Sequence, residues 1–341
     1  MRFLFQSVVV LLIVVFFSAC SNEFQITEKA TEIPVVYGIL SAQDTATYIR
    51  VERAFIDESL PAATLAKNPD SLYFDNISVS LINTANNTTS TLKRVDGNTE
   101  GYMRAQGTFA DAPNYLYKIK RSELTLKEGD VYKLLVSKND GKVLTESSTK
   151  VLSPLDDSNN DVNLPLISAP LSFSYNGDFK VSWYPDADAV IHDVIMTFNY
   201  DETKDGATEE KSVQWKLATN YTIQTGSAGS YILSIKGRNF YQFLAGALEP
   251  NSATNQVSRI FKDASLKIIS GGKPIKDYIS IGLANIGITS SGEIPVYTNL
   301  SNDARGIFSS KTEYLRTGMI LNKVTLDSLA GGIYTKNLNF K

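Results

Sequence analysis

At 341 residues, 43% of them hydrophobic, the chain has enough apolar material for two cores. Its 33 basic and 36 acidic residues leave a formal charge of −3 with no basic stripe and no long run of like charge, which gives nucleic acid nothing to hold. One histidine and one cysteine exclude an internal disulfide and a zinc site built from thiolates and imidazoles.

The chain begins Met1-Arg2-Phe3 and then runs from Val8 to Phe17 without a polar side chain, the layout of a secretory signal. Counted back to Phe3, the run is about fifteen residues, or ~22 Å of helix against a hydrocarbon core of ~30 Å, too short for a stable span. It closes Phe17-Ser18-Ala19-Cys20, which resembles a lipobox, although Phe17 stands where an aliphatic residue is usual. Residues 1–19 are therefore expected to be a cleaved lipoprotein signal peptide and Cys20 the lipidated residue. Acyl chains contribute ~0.8 kcal/mol per buried CH₂, so two or more would retain the mature chain at a membrane. Residues 20–32 lack a sustained period and suit a tether.

From Ile33 the pattern turns to period two, as in Tyr48 to Phe55 and Ile77 to Ile82, the mark of strands with one wet face. Turn residues follow at Asp96-Gly97-Asn98, Glu128-Gly129-Asp130 and Asn139-Asp140-Gly141. Residues 33–152 are thus expected to form an N-terminal β-sandwich domain. Its exception is Asp57 to Asp75, where Pro61, an Ala62 to Lys67 run and Pro69 predict a long loop with one short helical turn. The loop's Leu60, Leu65, Leu72, Tyr73 and Phe74 either dock a partner or fold back onto their own domain.

Residues 153–165 are polar and proline-marked, as a linker is. A second β-sandwich domain is expected over 166–341. It opens with Leu171 to Tyr175, turns at Asn176-Gly177 and returns through Phe179 to Trp183, a strong hairpin signal. Trp183, Pro185 and the alternating Val190 to Tyr200 run look similar to the opening of a fibronectin type III-like sandwich, which places Trp183 in a core. One amphipathic helix is predicted near 240–248 from Phe240, Phe243, Leu244 and Ala247, with Asn239 as cap and Pro250 as stop, plugging an open sandwich end. The fold class expected is mainly β: two β-sandwich domains with this one helix.

Any histidine-based mechanism must pass through His192, which shares a strand face with Val190, Val194, Met196 and Phe198 and reads as a core-edge residue. Ser270-Gly271-Gly272-Lys273-Pro274 lacks the spacing and the hydroxyl of a phosphate loop. Asp157, Asn159, Asp161 and Asn163 alternate as in the first half of a calcium loop, but Val162 takes the glycine position and Ser168 that of the bidentate acid. Paired carboxylates for a hydrolase stay open, since their separation in space is not written in sequence. So does a sugar platform built from the 17 tyrosines, because Trp183 and Trp215 both sit in strand-like alternation. No catalytic, cofactor or metal residue is assigned; Cys20 is the one site residue.

Tyr48 to Phe55, Pro69 to Asn76, Arg94 to Tyr102 and Tyr297-Thr298-Asn299-Leu300 through Gly306-Ile307-Phe308 resemble an uncharacterised family of bacterial envelope lipoproteins with β-sandwich domains. The resemblance implies a lipid anchor, β-sandwich domains and an accessory or binding role at the outer membrane. It brings no catalytic motif. Two strand-rich domains on a lipidated tether, with no catalytic constellation, lead to the expectation of an outer-membrane protein or surface glycan as partner. The expectation is a non-enzymatic envelope binding component without cofactor, and the alternative is an envelope hydrolase or carbohydrate-binding protein.

Overall fold

The computed structural model describes residues 32–54, 61–163, 169–224, 229–284 and 296–341; the 1–19 signal, Cys20, Leu60 and Ser168 lie outside the described residues. The chain is mainly β, with its strands layered into two sandwiches. In the first, β1 (Ile33–Leu40), β2 (Ala46–Ala54), β5 (Lys93–Asp96) and β6 (Tyr115–Lys120) face the sheet of β3 (Ile77–Asn83), β4 (Thr88–Thr91), β7 (Val131–Lys138) and β8 (Val143–Lys150). Period-two alternation sends Val36 and Leu40, Ile49 and Val51, Val79 and Leu81, and Tyr132, Leu134 and Val136 into one core.

The loop over 57–75 folds back. Its described part holds α1 (Ala62–Ala66) and α2 (Pro69–Leu72), the latter capped by the Asn68 side chain, which accepts from the Asp70 N–H. Leu65, Leu72, Tyr73 and Phe74 are all buried, Phe74 in the sandwich core and Tyr73 against Tyr115, which removes the docking reading for these four.

The second sandwich sets β9 (Val162–Asn163), β10 (Asp178–Trp183) and β13 (Tyr231–Lys236) over the long strands β11 (Ala189–Lys204), β12 (Ala207–Tyr221) and β14 (Val257–Gly272) and part of β15 (Arg305–Met319). Asp205 and Gly206, at φ 52° and 82°, make the tight turn between β11 and β12. Trp183 is fully buried, stacked on Tyr231 with ring centroids 5.6 Å apart. The expected hairpin about Asn176-Gly177 is corrected: the chain turns there, but β10 pairs with β13 and β9, while Leu171 bridges to Leu321. Phe173 is instead held by stacking on Phe240, 4.3 Å away.

Helix α3 (Arg238–Ala247) forms where one was predicted and plugs the sandwich with Phe240, Tyr241 and Leu244; of the predicted face, Phe240 and Leu244 are buried, Phe243 is half-buried and Ala247 is exposed, with Tyr241 in its place. Its cap position, however, is Gly237 rather than Asn239. The backbone there runs so close to the Ser174 carbonyl that an added Cβ would lie 2.2 Å from its oxygen, so glycine is required. The expectation of a single helix is also corrected, since α4 (Lys273–Ala284) and α5 (Lys323–Gly331) are present, α5 capped by Asn322.

The expected linker and second-domain limits fail at two points. Leu155 and Val162, from 153–165, are buried in the second core. Strand β15 belongs to both sandwiches: Arg305 to Ser310 pair in parallel with β1, and Lys311 to Met319 pair antiparallel with β14. One eight-stranded sheet, ordered β12-β11-β14-β15-β1-β2-β6-β5, therefore runs through the whole molecule. Leu300, Ala304 and Phe308 complete the first core from the far end of the sequence.

Candidate functional site

The outer face of the shared sheet is covered at the seam by α4. Strand β14 ends in Gly271-Gly272, where added Cβ atoms would press on Ile275 at 3.1 Å and Ser309 at 3.0 Å, so the chain folds tightly back over its own sheet. Pro274 suits the first turn of a helix, where no backbone N–H is needed, and Lys273 pairs with Asp277 one turn on. Ile275, Tyr278 and Ile279, at i, i+3 and i+4, form the stripe that meets the sheet.

Beneath this stripe lies a recess of about 390 Å³, floored by Ile39, Ile191, Ile269 and Ile307. Asp193, Asn220 and Lys311 supply its polar rim. Asp193 accepts from the Asn220 N–H at 2.8 Å, and Lys311 lies 3.5 Å from Glu313. Burial works against the Glu313 carboxylate, but Lys267, 2.6 Å away, and Lys311 together hold its pKa below the ordinary value. Tyr278 lines one side and meets Tyr37 edge to face, their hydroxyls 3.2 Å apart; burial and this hydrogen bond push the Tyr37 pKa up to about 12. Leu283, one turn farther along the stripe, is 58% exposed, so the apolar track outruns its cover.

His192 touches the recess only as part of its floor. Its ring lies in the second core, 1% exposed, against Tyr231 and Trp183, with Nδ1 2.9 Å from the Ser270 hydroxyl. Burial pushes its pKa down to about 4, and the Ala189 backbone offsets this only in part. The imidazole is thus neutral near pH 7 and structural. Asp157, from the calcium-like run, is spent on Tyr314 and Arg316, and Asp161 accepts from the Asp156 N–H at 2.9 Å.

Aromatic side chains gather elsewhere on the second sandwich. Tyr175 stacks on Tyr334 with centroids 6.0 Å apart, beside a recess of about 350 Å³ bounded by Tyr241, Ser328 and Ile333. Trp215 stacks on Phe243 at 5.3 Å. Sequence reasoning missed the α4 recess because the Gly-Gly-Lys-Pro stretch reads as a loop; the helical spacing of Ile275, Tyr278 and Ile279 was the available signal.

No family model matches the chain, and no curated protein matches it. Among solved structures, it is similar to a chain from the study of host cell surface retention of a 1.5-MDa bacterial ice-binding adhesin, at 10% identity and a TM-score of 0.18, covering 86% of this chain. This chain spans 65% of that one. A chain of a cytokine receptor complex is similar at 9% identity and a TM-score of 0.22, covering 85% of this chain and 99% of the other. The C-terminal globular domain of an oligosaccharyltransferase from Pyrococcus abyssi is similar at 11% identity and a TM-score of 0.19, covering 84% of this chain and 48% of that one. Likenesses this distant carry no function over to this chain.

Proposed function

We propose that the chain is a non-enzymatic binding component held at the outer membrane by lipid on Cys20, and that the recess under α4 takes its ligand. The observation that carries this reading is the recess itself: an apolar hollow of about 390 Å³ with Asp193, Asn220 and Lys311 converging on its rim. Ligand sites commonly combine an apolar lining with a few placed polar groups. Such a lining fits a molecule with an apolar body and one polar end. The neutral, core-bound state of His192 and the use of Asp186 and Asp188 to clamp Lys150 fit a structural role for these groups.

Two measurements test the reading. Cys20→Ala should leave the chain out of the sedimenting envelope fraction; retention at the wild-type level removes the anchor. For the chain from Ser21 onward, titration with cis-parinarate, a fluorescent fatty carboxylate, should saturate at one site, and Ile279→Trp, which fills the recess, should abolish it. Binding that survives Ile279→Trp, or no saturable binding, removes the recess as the site. A second reading, carbohydrate binding, is favoured by the stacked Tyr175 and Tyr334; Tyr175→Ala should then abolish retention on immobilised glycan.

A further inference from the structure

Among the described residues, β12 is the longest sheet edge left without a partner or cover. At the far end of the shared sheet, β5 has four residues, and in the smaller sheets β4 has four, β9 two and β13 six. The outer side of β8 is covered by the 299–302 segment, where the Ser301 N–H donates to the Glu146 carbonyl and Ser301 and Asn299 carbonyls accept from Thr145 and Ser147. Strand β12, by contrast, is 15 residues long, contains no proline, and has no partner on its outer edge among the described residues. Its pairing with β11 is regular from Lys216 to Ala207, the register shifts falling beyond, at His192 to Ile195. Folded proteins blunt long regular edges, because a row of free N–H and C=O groups is a template for another strand.

We infer that this edge pairs with the same edge of a second copy, joining two eight-stranded sheets into one. Only a two-fold axis normal to the sheet brings the edge antiparallel to itself, and it keeps core face beside core face with one residue on the axis. The charge pattern selects that residue. With Val213 on the axis, Glu210 lies opposite Lys216 of the second copy, twice over, and Ser212 lies opposite Gln214. All four side chains are exposed on the outer face. On the core face, Lys211, which bonds Glu202 in its own chain, comes opposite Trp215 with no like charge beside it. Moving the axis to Ser212 puts Lys216 against Thr208 and Glu210 against Gln214; moving it to Gln214 puts Glu210 against Ala218. Among the described residues, Glu210 bonds Lys262 at 2.9 Å, whereas Lys216 forms no ion pair within its own chain. This self-complementarity favours a second copy over an extended peptide, which would need no matched charges along β12.

Sedimentation of the full chain in detergent should show a dimer at micromolar concentration. Lys216→Glu sets like charges opposite at two places and should weaken it by about tenfold or more in Kd, and the swap Glu210→Lys with Lys216→Glu should bring it back to within about threefold of wild type. Both positions are exposed, so an unchanged melting profile separates loss of pairing from loss of fold. A wild-type monomer, a dimer indifferent to Lys216→Glu, or a swap that fails to restore pairing overturns the proposal.

Discussion

His192 and Trp183 meet inside the second sandwich, 5.4 Å apart edge to face, and each makes a measurable prediction. The unfolded chain protonates His192 near 6.5, whereas burial holds the folded pKa near 4. Between these values the unfolded state binds more protons, so stability falls as pH falls. The contribution is complete above pH 6.5, and about 3 kcal/mol is lost by pH 4. Chemical denaturation of wild type and His192→Gln at pH 7 and pH 5 isolates it: the wild type should lose more stability than the variant, and equal losses refute the assignment. Trp183→Ala should cost ~3–5 kcal/mol through lost burial and a cavity. Its indole N–H has no hydrogen-bond partner among the described residues, so Trp183→Phe should cost clearly less. An unchanged urea midpoint for Trp183→Ala would contradict its burial.

At the scale of elements, Arg259 fastens three segments with one side chain. It is 2% exposed; its Nε and Nη2 donate to Glu202 at 2.8 and 2.7 Å, Nη1 to the Leu338 carbonyl at 2.7 Å, and Nη2 also to the Glu249 carbonyl at 3.0 Å. Strand β11, the turn after α3 and the chain's last turn are thereby joined to β14. Burial works against the Glu202 carboxylate, but Lys211 and Arg259 hold its pKa below the ordinary value. Arg259→Met should cost about 3 kcal/mol, because it leaves Glu202 buried with Lys211 alone, and adding Glu202→Leu should recover part of that loss. Equilibrium urea unfolding of the single and double variants checks both. None of this was legible beforehand, since Arg259 and Glu202 are 57 residues apart and nothing in local pattern joins them. What was legible is local: the β7 to β8 turn at Asn139-Asp140-Gly141, the apolar face of α3, the inward side of β10. The pairing of β10 with β13 was hidden for the opposite reason, because Asn176-Gly177 offers a strong local hairpin signal that non-local packing of Phe173 overrides. Helix α4 was hidden because glycines needed for close approach look the same in sequence as glycines of a loop.

The whole molecule turns on β15. Period-two alternation identifies sandwich layers but not which strands share them, so a boundary after residue 152 reads naturally from the sequence while the last long strand returns to pair with the first. The recess under α4 exists because of that return, since Ile39 comes from β1, Ile307 from the first half of β15, and Ile191 and Ile269 from the second sandwich. The two cores should therefore unfold together, as one calorimetric transition whose van't Hoff and calorimetric enthalpies agree. Gly306 is the point where the join is most sensitive. It sits at φ 102° opposite Val36, and a Cβ there would lie 2.0 Å from the Val36 carbonyl oxygen, with no side-chain rotation able to relieve it. Gly306→Ala must therefore open the β1 to β15 pairing or force the backbone out of its left-handed conformation, at a cost of roughly 2–4 kcal/mol. Because Phe308 follows two residues later and fills the first core, the loss should fall on the first sandwich before the second. The expected thermogram of Gly306→Ala has an earlier transition split from a later one, with the second-core reporter Trp183 melting in the later step. A variant that melts as late and as singly as the wild type would show that the sandwiches do not depend on this strand for their coupling.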